Sequence, residues 1–304
     1  MKSVLLTGAT GFVGSCAIAP LLEKGYAVHA VTSKAGLPES NGNLIWHTAN
    51  LLDSDETENL LKIVRPTHLL HFAWYVEHGK FWNATENVDW LKASLHLVQK
   101  FVECGGKRVV VAGTLSEYEE SEEDFLSENI KLDPQSLYAA TKVSLYQTLE
   151  KYTEVVGVSF AWGRVFFMFG KKESPKRLVP AVICSLLNNE TAKTSHGNQI
   201  RDFMSTGETA QAYVALLDSD VRGAVNIGSG EARTIKELVL EIAASIGSNP
   251  DDIQFGAFQA PKDEPKRVVA DVARLRDEVK WKPSRNFSQQ IAETIDWWKN
   301  EIKN

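Results

Sequence analysis

Apolar and polar residues alternate along the first half of the chain in a pattern that predicts strands separated by helices. Short apolar or β-branched runs predict strands at Ser3 to Thr7, Ala27 to Thr32, Leu44 to His47, His68 to Phe72, Arg108 to Ala112 and Val158 to Trp162. Between them, apolar residues at three- and four-residue spacing predict helices at Phe12 to Lys24, Ser54 to Val64, Glu86 to Glu103 and Ser136 to Val155. This order is typical of an α/β protein with a doubly wound, mostly parallel sheet.

Beyond Gly170 the pattern becomes less regular. It predicts helices at Pro175 to Leu187 and Thr206 to Asp218, a strand at Ala224 to Ile227, and a helix that begins at Thr234 with a capping box. We therefore expect a first lobe of residues 1–169, to which a segment at about 205–228 returns, and a smaller α/β lobe of residues 170–304.

Composition and charge exclude several classes of protein. The chain has 304 residues, 43% of them hydrophobic, and its 33 Lys+Arg against 39 Asp+Glu give a net charge of −6, so nucleic acid is not an expected partner. Cys16, Cys104 and Cys184 are far apart and predict neither a disulfide framework nor a metal site, as in a reduced cytoplasm. The longest apolar run contains Arg164 and is shorter than the roughly 18 residues that a bilayer span needs, so no membrane association is expected.

A glycine-rich turn follows the first predicted strand and opens directly into a helix. Its glycines, Gly8, Gly11 and Gly14, allow a tight turn and a close approach of the backbone to a pyrophosphate at the helix N-terminus. We expect a dinucleotide site in a Rossmann-type lobe, formed here by Gly8, Thr10, Gly11, Phe12, Val13 and Gly14. The alternative is a glycine turn that binds no ligand.

The end of the second predicted strand bears on which nicotinamide cofactor binds. An acidic residue there would accept hydrogen bonds from the adenosine ribose and repel a 2′-phosphate. This chain has Ser33 and Lys34 instead, which suit a phosphate. NADP(H) is therefore the preferred cofactor and NAD(H) remains possible; alternatively, Lys34 is a lysine of an ordinary surface loop.

Tyr138 and Lys142 are spaced one helical turn apart and so share a face of the fourth predicted helix. A cation near a phenol lowers the pKa of the phenol, which can then exchange a proton near neutral pH. Thr114 follows the fifth predicted strand, at the edge of the sheet where open α/β proteins bind ligands. These three residues are the predicted catalytic group.

Taken together, these motifs resemble the extended short-chain dehydrogenase/reductase superfamily, in its NDP-sugar epimerase/dehydratase branch. The resemblance covers nearly the whole chain. Besides the glycine turn and Tyr138-x-x-x-Lys142, it rests on the segments His71-Phe72-Ala73, Asn87-Val88, Thr114 with Tyr118, Gly163-Arg164 through Gly170, Arg201-Asp202-Phe203, Asn226-Ile227-Gly228-Ser229-Gly230, and Arg267 with Asp271.

The resemblance implies roles for individual residues. Tyr138 would be the general acid/base, Lys142 would bind the nicotinamide ribose, and Thr114 would orient the reacting oxygen. The cofactor would also contact Asn50, which stands where relatives usually have Asp, together with Leu51, Phe72 and Ala73. Arg201 and Arg267 would hold the diphosphate of a nucleotide-sugar substrate. Ion pairs of Arg201 with Asp202 and of Arg267 with Asp263 are the alternatives.

Two departures from the family concern the substrate. Phe167 replaces an asparagine that contacts phosphate in relatives. Trp74 replaces a small residue near the nicotinamide and, with Tyr75, Phe81 and Trp82, would narrow an apolar side of the sugar pocket, as suits a deoxygenated sugar. Plain packing of these aromatic side chains is an equal alternative.

The residues after Thr114 narrow the choice of reaction. Related 4,6-dehydratases have Asp-Glu there, whereas this chain has Leu115 and Ser116, so dehydration is set aside. The preferred interpretation is NADPH-dependent reduction of the 4-keto group of a CDP- or dTDP-linked 4-keto-6-deoxyhexose. The alternatives are an NDP-sugar 4-epimerase that retains its cofactor, a reductase of some other carbonyl compound, and an NADP(H)-sensing regulator without turnover. By analogy with such proteins, we expect a homodimer paired through the helices at Glu86 to Glu103 and Ser136 to Val155.

Overall fold

The structure is a computed structural model that describes residues 2–36, 39–260 and 264–302. Its strands are β1 (Ser3–Thr7), β2 (Ala27–Thr32), β3 (Leu44–Thr48), β4 (His68–His71), β5 (Arg108–Thr114), β6 (Ser159–Val165), β7 (Phe167–Phe169), β8 (Ala192–Lys193), β9 (Ile200–Arg201), β10 (Phe203–Ser205), β11 (Gly223–Ile227), β12 (Arg233–Thr234), β13 (Ile253–Gln254) and β14 (Arg267–Val268). Its α-helices are α1 (Gly14–Glu23), α2 (Ser54–Val64), α3 (Glu86–Glu103), α4 (Leu137–Val156), α5 (Leu178–Leu187), α6 (Thr206–Asp218), α7 (Ile235–Ile246), α8 (Ala273–Asp277) and α9 (Phe287–Ile302). Short 3₁₀ helices lie at Phe81–Asn83, Leu115–Glu117 and Pro250–Asp252.

Seven strands form one parallel sheet in the order β11, β6, β5, β4, β1, β2, β3. The chain builds outward from β1 to β3, then returns to the other side of β1 with β4. The strand order therefore reverses between β1 and β4, where doubly wound sheets bind ligands beyond the carboxyl ends of their strands. The predicted Rossmann-type parallel sheet is confirmed.

Each face of this sheet is covered by helices, as the apolar strands require. Val4 and Leu6 of β1 pack toward α1 and α6, whereas Leu5 between them packs toward α2, α3 and α4. All three side chains are fully buried, and burying each stabilises the fold by roughly 1.5–3 kcal/mol. The alternation explains why a uniformly apolar run forms a central strand here.

The remaining elements form a second core and several small sheets. The helices α5, α7 and α9 bury a separate apolar cluster, while β7 pairs with β10, β8 with β13, and β9 with both β12 and β14. The sequence pattern predicts neither α9 nor these small strands, since strands of two or three residues are too short to show a period. Residues of β11 return to the main sheet beside β6.

Several boundaries differ from the prediction. The strand β5 runs on to Thr114, so this residue ends the strand rather than following it, and β6 extends to Val165 with Arg164 inside it. The helix α5 begins at Leu178 instead of Pro175. Within the described parts of the chain, none of the helices is both long and apolar enough to cross a membrane.

Candidate active site

The glycine turn after β1 lies against the segment that follows β4. Gly8 has a φ of +65°, which favours glycine, and a Cβ atom built there would come within 2.9 Å of the Ala73 backbone nitrogen. A Cβ atom on Gly14 would collide with the carbonyl oxygen of Gly8. The helix α1 then begins without a side-chain cap on its first N–H groups. Close approach of the backbone and uncapped N–H groups are what a pyrophosphate site requires.

A buried hydrogen-bond chain holds this turn in place. The Thr7 hydroxyl oxygen accepts the backbone N–H groups of Phe72 and Ala73, each at 3.2 Å, and lies 2.7 Å from His71 Nδ1. The other ring nitrogen of His71 lies 2.9 Å from the Ser94 hydroxyl. Burial lowers the pKa of His71 to about 3, so the ring is neutral and acts as a structural link.

The region expected to hold the adenosine is open. Ser33 and Lys34 are exposed, and the Lys34 backbone N–H donates to the Thr32 hydroxyl at 3.2 Å, which folds the turn after β2. Leu51 is buried, while Asn50 is exposed and its side-chain oxygen accepts the backbone N–H of Leu52 at 3.2 Å. That oxygen, which we expected to accept a hydrogen bond from adenine, therefore already has one donor.

Tyr138 lies on the first turn of α4, which Ser136 caps by accepting the Ala139 N–H. Its side chain is buried and interacts with the Thr114 hydroxyl, which favours the phenolate. Burial is the larger effect and raises the pKa of Tyr138 well above its ordinary value. The structure thus brings Thr114 and Tyr138 together, but the expected lowering of the pKa of Tyr138 by Lys142 is wrong because desolvation dominates.

The Lys142 side chain is buried between β5 and the Trp74 ring. It donates to the Ala112 carbonyl at 2.8 Å and lies 3.8 Å from the centre of the Trp74 ring. Burial lowers the pKa of Lys142 to about 7, and Glu117 opposes that effect. Trp74 is itself buried and donates its indole N–H to the Asn87 side chain at 2.8 Å. In this arrangement Trp74 packs against Lys142.

A buried carboxylate beneath Thr114 escaped the sequence analysis. Glu117 accepts the Thr114 backbone N–H at 2.8 Å, the Arg164 Nε–H at 2.7 Å and the Trp162 indole N–H at 2.9 Å. The spacing Thr114-x-x-Glu117 is that of a capping box, and the structure shows one here. That spacing was the available signal in the sequence.

The two arginines proposed for the diphosphate do not lie together. In the parallel pairing of β14 with β9, Arg267 is the partner of Ile200, so its side chain faces away from that of Arg201. Arg201 is buried and pairs with Glu264 at 2.8 Å, whereas Arg267 donates to the Asp124 carbonyl at 2.7 Å.

The ion pair of Arg201 with Asp202, proposed as an alternative to diphosphate binding, is not formed. The Asp202 carboxylate instead accepts the N–H groups of Ser229, Gly230 and Ala270. Asp263, the other proposed partner, lies outside the described residues.

Comparison with known proteins defines the class. The model of the NAD dependent epimerase/dehydratase family matches residues 4–228, and the chain belongs to this family. It is an enzyme of the extended short-chain dehydrogenase/reductase type, as the motifs predicted.

Individual relatives are similar over their whole length. A UDP-glucose 4-epimerase of Corynebacterium glutamicum is 24% identical over 97% of this chain and 94% of its own. A dTDP-glucose 4,6-dehydratase of Xanthomonas campestris pv. campestris is 24% identical over 98% and 93%. Among solved structures, the UDP-N-acetylglucosamine 4-epimerase of Methanobrevibacter ruminantium M1 in complex with UDP-N-acetylmuramic acid superposes with a TM-score of 0.88, at 26% identity and 99% coverage of both chains.

The residues present fit a nicotinamide dinucleotide. A side chain at Gly8 would collide with Ala73, so this cradle can be formed only by glycine. The glycine turn, the segment at Ala73 and the Thr114–Tyr138 pair all lie at the carboxyl edge of the same parallel sheet. NAD(P) is the cofactor class that this family and this cradle share.

Proposed function

We propose that this enzyme oxidises and reduces C4 of a nucleotide-linked sugar, and that it acts as an NDP-sugar 4-epimerase. The observation that carries the proposal is the position of the Tyr138–Lys142 face of α4 against the end of β5, where Lys142 donates to the Ala112 carbonyl at 2.8 Å and Tyr138 interacts with the Thr114 hydroxyl. The relatives named above include 4-epimerases and a dehydratase, and they favour the epimerase alternative over the ketoreductase that the sequence suggested.

The chain supplies position and a proton path. Thr114 holds the C4 oxygen, and Tyr138 takes its proton as C4 is oxidised and returns it as C4 is reduced. Bound nicotinamide supplies the chemistry of hydride acceptance and return. Lys142 binds the nicotinamide ribose and, once charged there, favours the Tyr138 phenolate. Burial of the pair keeps water from the reacting oxygen.

The same geometry disfavours dehydration. Removal of water from a sugar needs a free acid and base, but Leu115 and Ser116 follow Thr114. The nearby carboxylate of Glu117 is fully buried and paired with Arg164, so it has no face toward a substrate.

A ketoreductase that uses NADPH is the second candidate. It is favoured by the turn after β2, where Ser33 and Lys34 are exposed and offer a hydroxyl and an ammonium group to a 2′-phosphate. NADP(H) preference belongs to this proposal, because a reductase draws on free NADPH whereas an epimerase returns its cofactor to the starting state.

The substrate and assembly follow the same proposal. Arg201 holds the diphosphate, for which its planar fork of donors is suited, and Glu264 occupies that fork in this structure. A homodimer forms through α3 and α4, which pack against each other and expose Val88 and Val155. Sedimentation at micromolar concentration tests the dimer, and a monomer would contradict it.

One assay separates the two reactions. The enzyme is incubated with UDP-, dTDP-, CDP- and GDP-linked 4-hydroxy sugars, and separately with 4-keto-6-deoxy sugars and NADPH. Interconversion of C4 stereoisomers without net cofactor consumption supports the epimerase. Stoichiometric loss of NADPH absorbance with a ketosugar supports the reductase. If neither result is observed with any of the nucleotides, C4 chemistry is contradicted.

A further inference from the structure

An exposed tryptophan lies beside the proposed catalytic tyrosine. Trp82 belongs to the 3₁₀ helix Phe81–Asn83, and 44% of its surface is exposed. Its ring centre is 5.9 Å from that of Tyr138, with the two planes at 87°, and Phe81 contacts the same tyrosine ring at 4.9 Å and 85°. Phe81 is buried, so only Trp82 of this pair offers an apolar surface at the rim of the site.

This surface is held rigidly. The Asn83 side-chain oxygen accepts the backbone N–H of Leu137 at 3.1 Å, one residue before Tyr138. The Asn87 amide donates to the carbonyl oxygens of Phe81 and Ala84, at 2.7 and 2.9 Å. The 3₁₀ helix is thereby bonded to the first turn of α4 and to the start of α3. Trp82 and Tyr138 keep a fixed spacing, as a preorganised binding surface requires.

The charged side chains of the same loop do not compete for this position. Lys80 and Glu77 form an ion pair with each other at 2.6 Å, and the Tyr75 hydroxyl donates to Glu77 at 2.9 Å. An indole face left in water favours an apolar ligand group that covers it, by about 25 cal/mol per Å² of apolar surface removed from water. A hydroxyl group over that face would lose water, and the indole ring itself offers it no conventional hydrogen-bond acceptor.

We infer that Trp82 contacts the C5–C6 edge of the sugar and makes the enzyme prefer 6-deoxy sugars. The inference rests on the proposed function, which puts the C4 oxygen at Tyr138. Of the two carbons bonded to C4, C3 carries a hydroxyl group, whereas C5 carries a carbon substituent that can be apolar. A methyl group at C6 therefore suits the indole surface, and a hydroxymethyl group suits it less.

The test compares kcat/KM for a matched pair, UDP-glucose and UDP-6-deoxyglucose, or the same pair on whichever nucleoside diphosphate supports turnover. The wild type is expected to favour the 6-deoxy sugar by about tenfold, the typical discrimination of one small group in an apolar pocket. Trp82→Ala is expected to bring the ratio close to one, mainly by raising KM for the 6-deoxy sugar. Trp82→Phe is expected to keep most of the preference, because it retains an aromatic face.

The control is Ile63→Ala, which removes an exposed apolar side chain on α2 and is expected to leave the ratio unchanged. Thermal melting of each variant confirms that it is folded. A wild type without 6-deoxy preference, or a ratio that survives Trp82→Ala, overturns the role of Trp82 while C4 turnover stands. Absence of C4 turnover with every sugar overturns the proposed function itself, and the inference with it.

Discussion

The carboxylate of Glu117 accepts the backbone N–H of Thr114 at 2.8 Å from a fully buried position. Its second oxygen binds the Arg164 guanidinium at 2.7 Å, so the charge is compensated without reaching solvent. Through this bond Glu117 fixes Thr114, the last residue of β5, whose hydroxyl interacts with Tyr138. Glu117 acts as a positioning residue, and its negative charge also raises the pKa of both Tyr138 and Lys142.

Neutralising Glu117 is expected to move the pH dependence of turnover. Glu117→Gln keeps an acceptor for Thr114 but removes the charge, so the pKa of Tyr138 falls and the limb of the kcat/KM profile assigned to Tyr138 shifts to lower pH. Leaving Arg164 unpaired costs about 3–5 kcal/mol of stability, so profiles are recorded well below the melting temperature of the variant. The exposed Glu154→Gln is the control, and an unmoved limb in Glu117→Gln contradicts the electrostatic coupling.

The two arginines are expected to differ in their effect on nucleotide binding. Arg201→Gln removes the guanidinium proposed for the diphosphate and should weaken UDP binding by about tenfold to a hundredfold, as for a charged hydrogen bond. Arg267→Gln, on the opposite face of β14, should change it little. Isothermal titration of each variant with UDP, or with the tightest-binding nucleoside diphosphate, measures this. Equal losses in both would mean that Arg267 also reaches the phosphates.

The turn after β2, which contains Lys34, bears on which nicotinamide cofactor the enzyme binds. If the ketoreductase is the correct candidate, Lys34 lies beside a 2′-phosphate, so NADP(H) should bind about tenfold or more tighter than NAD(H), and Lys34→Ala should remove most of that difference. Fluorescence titration with NADPH and NADH gives both constants. The exposed Lys171 serves as the matched control. Tighter binding of NADH to the wild type would exclude the proposed phosphate contact and favour the NAD-retaining epimerase.

Stability should depend on pH through Glu173. Burial raises its pKa from 4.5 to about 7, so between these pH values the unfolded chain releases a proton that the folded protein keeps. The contribution of Glu173 to stability therefore falls as pH rises from about 4.5 to 7 and is flat beyond. Glu173→Gln should match the wild type near pH 4 and exceed it near pH 8 by on the order of 3 kcal/mol. Urea unfolding at both pH values measures this, and the exposed Glu154→Gln should show no such trend.

Most of the main sheet was predictable because its strands are long, apolar and separated by periodic helices. The bounds of β1, β2, α2, α3 and α6 agree with the sequence pattern. The fifth strand was predicted to end at Ala112, which placed Thr114 just past it. In the structure Gly113 and Thr114 continue the strand by pairing with β6, and only glycine fits at position 113 because the Trp162 indole and Glu117 fill the space for a side chain.

The parts of the candidate site that escaped prediction depend on tertiary contacts. Nothing in local sequence shows that the register of β14 on β9 turns Arg267 away from Arg201, or that Glu264 pairs with Arg201 from a distant segment. Likewise, the spacing of Tyr138 and Lys142 predicted a shared face but not the depth of burial, which reverses the expected pKa shift of the tyrosine.

The proposed mechanism requires the Tyr138 hydroxyl to exchange the proton of the C4 oxygen. The most direct measurement is C4 turnover by Tyr138→Phe together with its affinity for the nicotinamide cofactor, using the sugar that the wild type converts. Loss of the hydroxyl should lower kcat by about a hundredfold or more while the dissociation constant for the cofactor stays nearly unchanged. Turnover by the folded variant at close to the wild-type rate would exclude Tyr138 from proton transfer and contradict the mechanism.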